Sequence, residues 1–146
     1  MKSPITFIIG TDTGVGKTVL TGHLLHYLRQ RKVGVAVLKP FCSGGRDDAI
    51  RLAGIMGEGV ALGTINPFHF NAPLTPMAAA RQEQRVITIA DCLVHVNGAA
   101  KSAESLLVEG AGGVMSPLGQ HFDALDLIIA TGAASVLVAP NRLGVL

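Results

Sequence analysis

A short apolar run, residues 5–9, is closed by Gly10 and followed by Thr-Asp-Thr-Gly-Val-Gly16-Lys17-Thr18. From Lys17 to Arg31, Val19, Leu20, Leu24 and Leu28 recur at helical spacing, and Arg29, Arg31 and Lys32 suit a helix C-terminus. Strand, glycine loop and helix in that order is the context a phosphate-binding loop requires. Glycines let successive backbone N–H groups converge on phosphate oxygens, helped by the helix N-terminus. Lys17 would reach the β and γ phosphates, and the Thr18 hydroxyl would ligate Mg²⁺. Five residues separate Gly10 from Gly16, one more than the common pattern allows. A glycine-rich turn carrying a surface lysine is the competing reading.

Composition narrows the class. Of 146 residues, 49% are hydrophobic and 15% charged, with five Phe, one Tyr, no Trp and 18 Gly. A core of Val, Ile, Leu and Ala fits a parallel sheet buried on both faces. Further strands are expected at residues 35–38, 106–108 and 135–138. Helices are expected from Asp47 or Asp48 to about Met56, over 76–84 within a Pro- and Gly-rich loop (57–85), over 89–100, and over 123–131 with Asp123 as N-cap. Alternating strands and helices predict one α/β domain over 1–146: a P-loop NTPase-like, doubly wound, mostly parallel sheet flanked by helices. The last strand has no helix after it to cover it, so the fold is expected to be truncated on its C-terminal side.

A net charge of +2 is too small to indicate nucleic acid or an anionic membrane. The longest apolar stretch, 127–140, is shorter than the ~20 residues of a membrane-spanning helix. Cys42 and Cys92 form neither a disulfide framework nor a metal cluster. Together these predict a cytoplasmic protein.

Other chemistry-bearing residues fall at predicted strand ends. Lys39 follows the second strand, where ligands bind in open α/β sheets, and reads as an anion contact or a solvated lysine. Glu109, after Leu-Leu-Val, has the position of a Walker B carboxylate, and the glycines behind it (Gly110, Gly112, Gly113) let backbone approach a ligand. Asp48 reads equally as a magnesium ligand or a plain N-cap. His23 and His26, with no third ligand nearby, read as helix-surface histidines.

These pieces resemble dethiobiotin synthetase: GTDTGVGKT (10–18), KPFCSGG (39–45), DDAIRLA (47–53), NPFHFNAPLTPMAAAR (66–81), VEGAGGVMSPL (108–118) and VLVAPNRLG (136–144). The extra loop residue is also that family's form. The resemblance implies an ATP- and Mg²⁺-dependent ligase acting on 7,8-diaminopelargonic acid and CO₂ or bicarbonate, through a carbamate and a carbamic–phosphoric anhydride. It implies nucleotide contacts from Thr13, Gly14, Val15, Gly16, Lys17, Thr18, Glu109, Gly110 and Gly112. Lys17 and Lys39 would be catalytic, Thr13 and Ser43 would contact substrate, and Thr18, Asp48 and Glu109 would hold magnesium. A homodimer is implied as well. Gly14 departs from relatives that carry Glu there, and the family's chain continues past residue 146. Two other readings stand beside this one. One is a P-loop ATPase switch of the chromosome-partitioning type or an amidoligase like cobyrinic acid a,c-diamide synthase. The other is a non-catalytic fragment.

Overall fold

The computed structural model describes residues 4–145; residues 1–3 and 146 of the expected single domain lie outside the described residues. In chain order the elements are β1 (Ile5–Gly10), α1 (Lys17–Gln30), β2 (Val35–Leu38), β3 (Phe41–Ser43), α2 (Asp47–Met56) and α3 (Leu62–Ile65). They continue with β4 (Phe68–Phe70), α4 (Pro76–Gln82), α5 (Ile89–Lys101), β5 (Ser105–Glu109), α6 (Ala124–Thr131) and β6 (Ala134–Val138).

The main sheet has the order β2-β5-β1-β6, and all its pairings are parallel. Ile8 lies opposite Glu109, Leu38 opposite Val108 and Gly10 opposite Val138. The carboxyl ends of four strands therefore form one edge. The chain leaves β1 for β2 and returns through β5 between them, which makes that edge a topological switch point.

Alternation along each strand divides the core in two. Phe7, Ile9, Leu106 and Val108 pack with α4, α5 and α6, through Ala79, Cys92, Val96 and Leu127. Ile8, Val35, Val37 and Leu107 pack on the other face with Leu25 of α1 and Leu52 of α2. Burial on both faces is why β1, Thr6 aside, and the middle of β5 read as apolar runs. The edge strand β6 is the exception, with Val136 and Leu137 exposed. Among the described residues no helix is long and apolar enough to cross a membrane.

Three expectations need correction. Residues 41–43 and 68–70 form a second small sheet, β3 parallel to β4, where no strand was expected, and α3 is a helical turn inside the expected loop. Pro40 and Pro67 stand just before the two strands, where neither has an N–H to give, and strands of three residues are too short to show a period. Their pairing is secured by Phe41 stacked on Phe68 with ring centroids 5.1 Å apart. Next, α2 is capped by neither aspartate: Arg46 is its N-cap and makes no side-chain cap bond. Asp47 and Asp48 lie in the first turn instead, where the helix dipole favours negative charge. Third, α4 stops at Gln82, with Gln84 in the left-handed region. The cap at Asp123 is as expected, its carboxylate accepting from the backbone N–H of Leu125 and Asp126.

Leu106 is fully buried in β5, so Leu106→Ala leaves a cavity at the centre of the sheet and costs roughly 2–5 kcal/mol. Val94, on the exposed side of α5 at 70% accessibility, is the control. Val94→Ala changes the urea-unfolding free energy by less than about 0.5 kcal/mol.

Candidate functional site: a two-lysine cradle at the sheet edge

The loop between β1 and α1 turns sharply because Gly14 and Gly16 take positive φ angles, 70° and 105°. A side chain is strained in that region, so glycine is what permits the turn. Gly16 is the N-cap of α1 and Lys17 its first residue. The helix thus opens with its free N–H groups at the loop, and with no acidic residue in its first turn to compete for them. Thr13 and Gly14 are exposed on this loop, and Val15 and Gly16 half-buried.

Lys17 is only 6% exposed, and its ammonium donates to the Asp12 carbonyl at 2.6 Å, inside its own loop. Burial first, then the charge of Lys39, holds its pKa below the ordinary 10.5. Glu109, Asp48 and Asp12 oppose that shift without reversing it.

The second half of the site comes from neighbouring strands. Glu109 ends β5 with no solvent exposure, and its Oε1 accepts from Thr18 Oγ1 at 2.7 Å and from Lys39 Nζ at 2.8 Å. Lys39, 4% exposed, also donates to the Gly110 carbonyl at 2.9 Å and lies 3.5 Å from the half-exposed Asp48 carboxylate. Thr18, Lys39, Asp48 and Glu109, four sequence-predicted residues from four elements or their ends, are therefore one connected cluster. Asp48 belongs to this cluster through Lys39 and not to a helix cap.

Beside the cluster is a cleft of about 520 Å³ whose walls include Asp12, Thr13, Lys39, Ser43, Asp48 and Gly112. The Ser43 hydroxyl is buried and has no hydrogen-bond partner, as is Glu109 Oε2. Buried polar atoms without partners are uncommon in folded proteins. Behind Glu109, Gly110 N–H donates to the Ile8 carbonyl at 2.9 Å, and Gly112 takes a φ of 68°.

The oxygen donors suit magnesium in kind: one hydroxyl and two carboxylates, one of them with a spare buried oxygen. Magnesium takes few protein ligands and keeps several waters. Among the described residues no group of three or more His, Cys, Asp and Glu could hold a metal by itself. His23 and His26 line a separate groove between α1 and α2, and His26 Nε2 lies 2.8 Å from Gln30 Nε2. Burial pushes both thiols up, Cys92 to about 12, so neither Cys42 nor Cys92 is an activated nucleophile.

Sequence reasoning missed three supports. Ser116 Oγ accepts from the Gly113 N–H at 3.1 Å and stiffens the glycine turn. Arg46 and Asn66 bond to each other beneath the Lys39 strand end. Only the Asn-Pro pair at 66–67, a turn-forming dipeptide, signalled anything there.

Known proteins are similar to this chain along most of its length. The AAA_26 family model, an AAA domain, matches residues 6–146. An ATP-dependent dethiobiotin synthetase of Bacillus velezensis is 36% identical over 143 residues, covering 94% of this chain and 61% of that protein. One from a Caulobacter species is 39% identical over 151 residues, covering 97% and 65%. The chain thus spans under two thirds of the length of these curated relatives. Among solved structures, the signal recognition particle receptor FtsY of Elizabethkingia anophelis in complex with GDP is 16% identical. The match has a TM-score of 0.41 and covers 90% of this chain and 34% of that one.

The lowered Lys17 pKa has a definite sign. Between the native value and about 10.5 the unfolded chain binds the proton more tightly, so stability rises with pH in that window. Below the window the charged, buried ammonium is a constant penalty. Urea midpoints taken on the alkaline side up to pH 10.5 will rise more in the wild type than in Lys17→Met. Equal slopes in the two proteins contradict the burial argument.

Proposed function

The chain belongs to the AAA_26 family of AAA domains, and from that premise we propose that it acts in ATP-dependent formation of dethiobiotin from 7,8-diaminopelargonic acid and CO₂. The observation that carries this reading is the meeting of Lys17, Thr18, Lys39, Asp48 and Glu109 at one sheet edge, beside a cleft that reaches Ser43. The identity to dethiobiotin synthetases along nearly the whole chain supports it.

The glycine loop, from Thr13 to Thr18, wraps the triphosphate, and Lys17 leaves the Asp12 carbonyl for the β and γ phosphates. Gly110 and Gly112 bring backbone close to the nucleotide from the β5 side. Thr18, Asp48 and Glu109 would hold Mg²⁺, which when bound neutralises phosphate charge. One substrate amine takes up CO₂, losing a proton and giving a carbamate. Lys39 sits between the cleft and the phosphate loop, where a carbamate oxygen and the γ-phosphate, both anionic, must approach. Its ammonium lowers their repulsion and stabilises charge on the transferring phosphoryl group. The carbamate oxygen displaces ADP from the γ-phosphorus and forms the mixed anhydride. The second amine then attacks the carbamoyl carbon, releases inorganic phosphate and closes the cyclic urea. Thr13 and Ser43 orient the substrate along the cleft, the unpartnered Ser43 hydroxyl offering a hydrogen bond. The same resemblance supports a homodimer working in the cytoplasm.

The test is ADP release by the full-length protein, measured with and without diaminopelargonate and bicarbonate. Release is expected to require both. Lys39→Met should lower kcat by about 10²–10³ while nucleotide still binds. Hydrolysis stimulated by DNA and indifferent to diaminopelargonate would establish the switch-ATPase reading instead.

A further inference from the structure

The segment between β2 and β3 carries Lys39 with little secondary structure to hold it. Lys39 N–H donates to the Ile65 carbonyl at 2.8 Å, but Pro40 has no N–H to give. The carbonyls of Lys39 and Pro40 both turn toward one side chain. Asn66, 1% exposed, donates through Nδ2 to Lys39 O at 2.8 Å, with Pro40 O at 3.2 Å and Phe68 O at 3.4 Å as further acceptors. The orientation of the amide is settled on its other side. Arg46 Nε donates to Asn66 Oδ1 at 2.9 Å, and Arg46 Nη2 to the Asn66 carbonyl at 3.0 Å. Arg46 is the N-cap of α2, two residues before Asp48. One buried amide thus ties the Lys39 strand end to the start of the helix that carries Asp48. Aspartate could not substitute, because a carboxylate would face three carbonyl oxygens with no proton to offer.

We infer that Asn66, anchored by Arg46, is the positioning residue for Lys39: it fixes the strand end so that the Lys39 ammonium stays between Glu109 and the cleft. Asn66 itself touches neither the cleft nor the phosphate loop. The part of this inference that concerns turnover rests on the reaction proposed above, and the placement of Lys39 does not.

Two measurements on the full-length protein separate these. Pulse labelling of lysine amines with acetic anhydride, read by mass spectrometry, reports the placement directly. In Asn66→Ala, labelling of Lys39 should rise at least fivefold and that of Lys17 less than twofold. A parallel rise of both would mean general loosening, and no rise at Lys39 would mean no positioning; either overturns the inference. Should Asn66→Ala not fold, the partly exposed Arg46→Ala replaces it, with at least a twofold rise expected at Lys39 alone and no rise there counting against the inference. The second measurement is a double-mutant cycle on turnover. Asn66→Ala should reduce kcat at least tenfold in the wild-type background but less than twofold in Lys39→Met, with KM for ATP within twofold throughout. A tenfold loss in both backgrounds would show that Asn66 acts independently of Lys39. If the wild type shows no diaminopelargonate-dependent turnover, the proposed reaction fails while the labelling result still decides the positioning.

Discussion

Glu109 is a carboxylate without solvent exposure, and the site is built around the need to pair it. A buried ion is costly unless it is paired and hydrogen-bonded, and removing one partner of a buried pair typically costs about 3–5 kcal/mol. Here one oxygen serves both Thr18 and Lys39, while the other has no partner. The arrangement binds the first turn of α1 to the end of β2 through the strand that lies between β1 and β2. It also leaves one buried carboxylate oxygen of Glu109 with acceptor capacity to spare.

Sheet order makes that pairing available. β5 is hydrogen-bonded to β1 on one side and β2 on the other, all parallel, so their carboxyl ends deliver the glycine loop, Lys39 and Glu109 to one edge. The two apolar faces, one closed by α1 and α2 and the other by α4, α5 and α6, keep the strands in register. The small β3–β4 sheet continues the wall of the cleft past Pro40, with Phe41 and Phe68 stacked beneath it. The candidate site lies where strands end, since the backbone there is free of the ladder and side chains reach the edge.

Long, regular elements were legible from residues alone. β1, β2 and β5 appear as apolar runs because both their faces are covered, and α1 because its period persists over four turns. The glycine turn between β1 and α1 was legible from its glycines, and the place of Glu109 at a strand end from the apolar run before it. Two other features could not be read this way. The strands Phe41–Ser43 and Phe68–Phe70 each have only three residues, and their partnership is set by ring stacking between segments far apart in sequence. Asp48 was undecided between cap and ligand because a first-turn aspartate satisfies both patterns; the structure makes Arg46 the N-cap and brings Asp48 to 3.5 Å from Lys39. The Asn66–Arg46 support has no sequence pattern beyond the turn-forming Asn-Pro pair, because it joins residues 20 positions apart.

A structure of the protein with magnesium and a non-hydrolysable ATP analogue tests the two-lysine cradle most directly. The account places the terminal phosphate within about 3 Å of both ammonium groups, with Lys17 released from the Asp12 carbonyl. A nucleotide bound away from the glycine loop, or a terminal phosphate that neither lysine reaches, would contradict it.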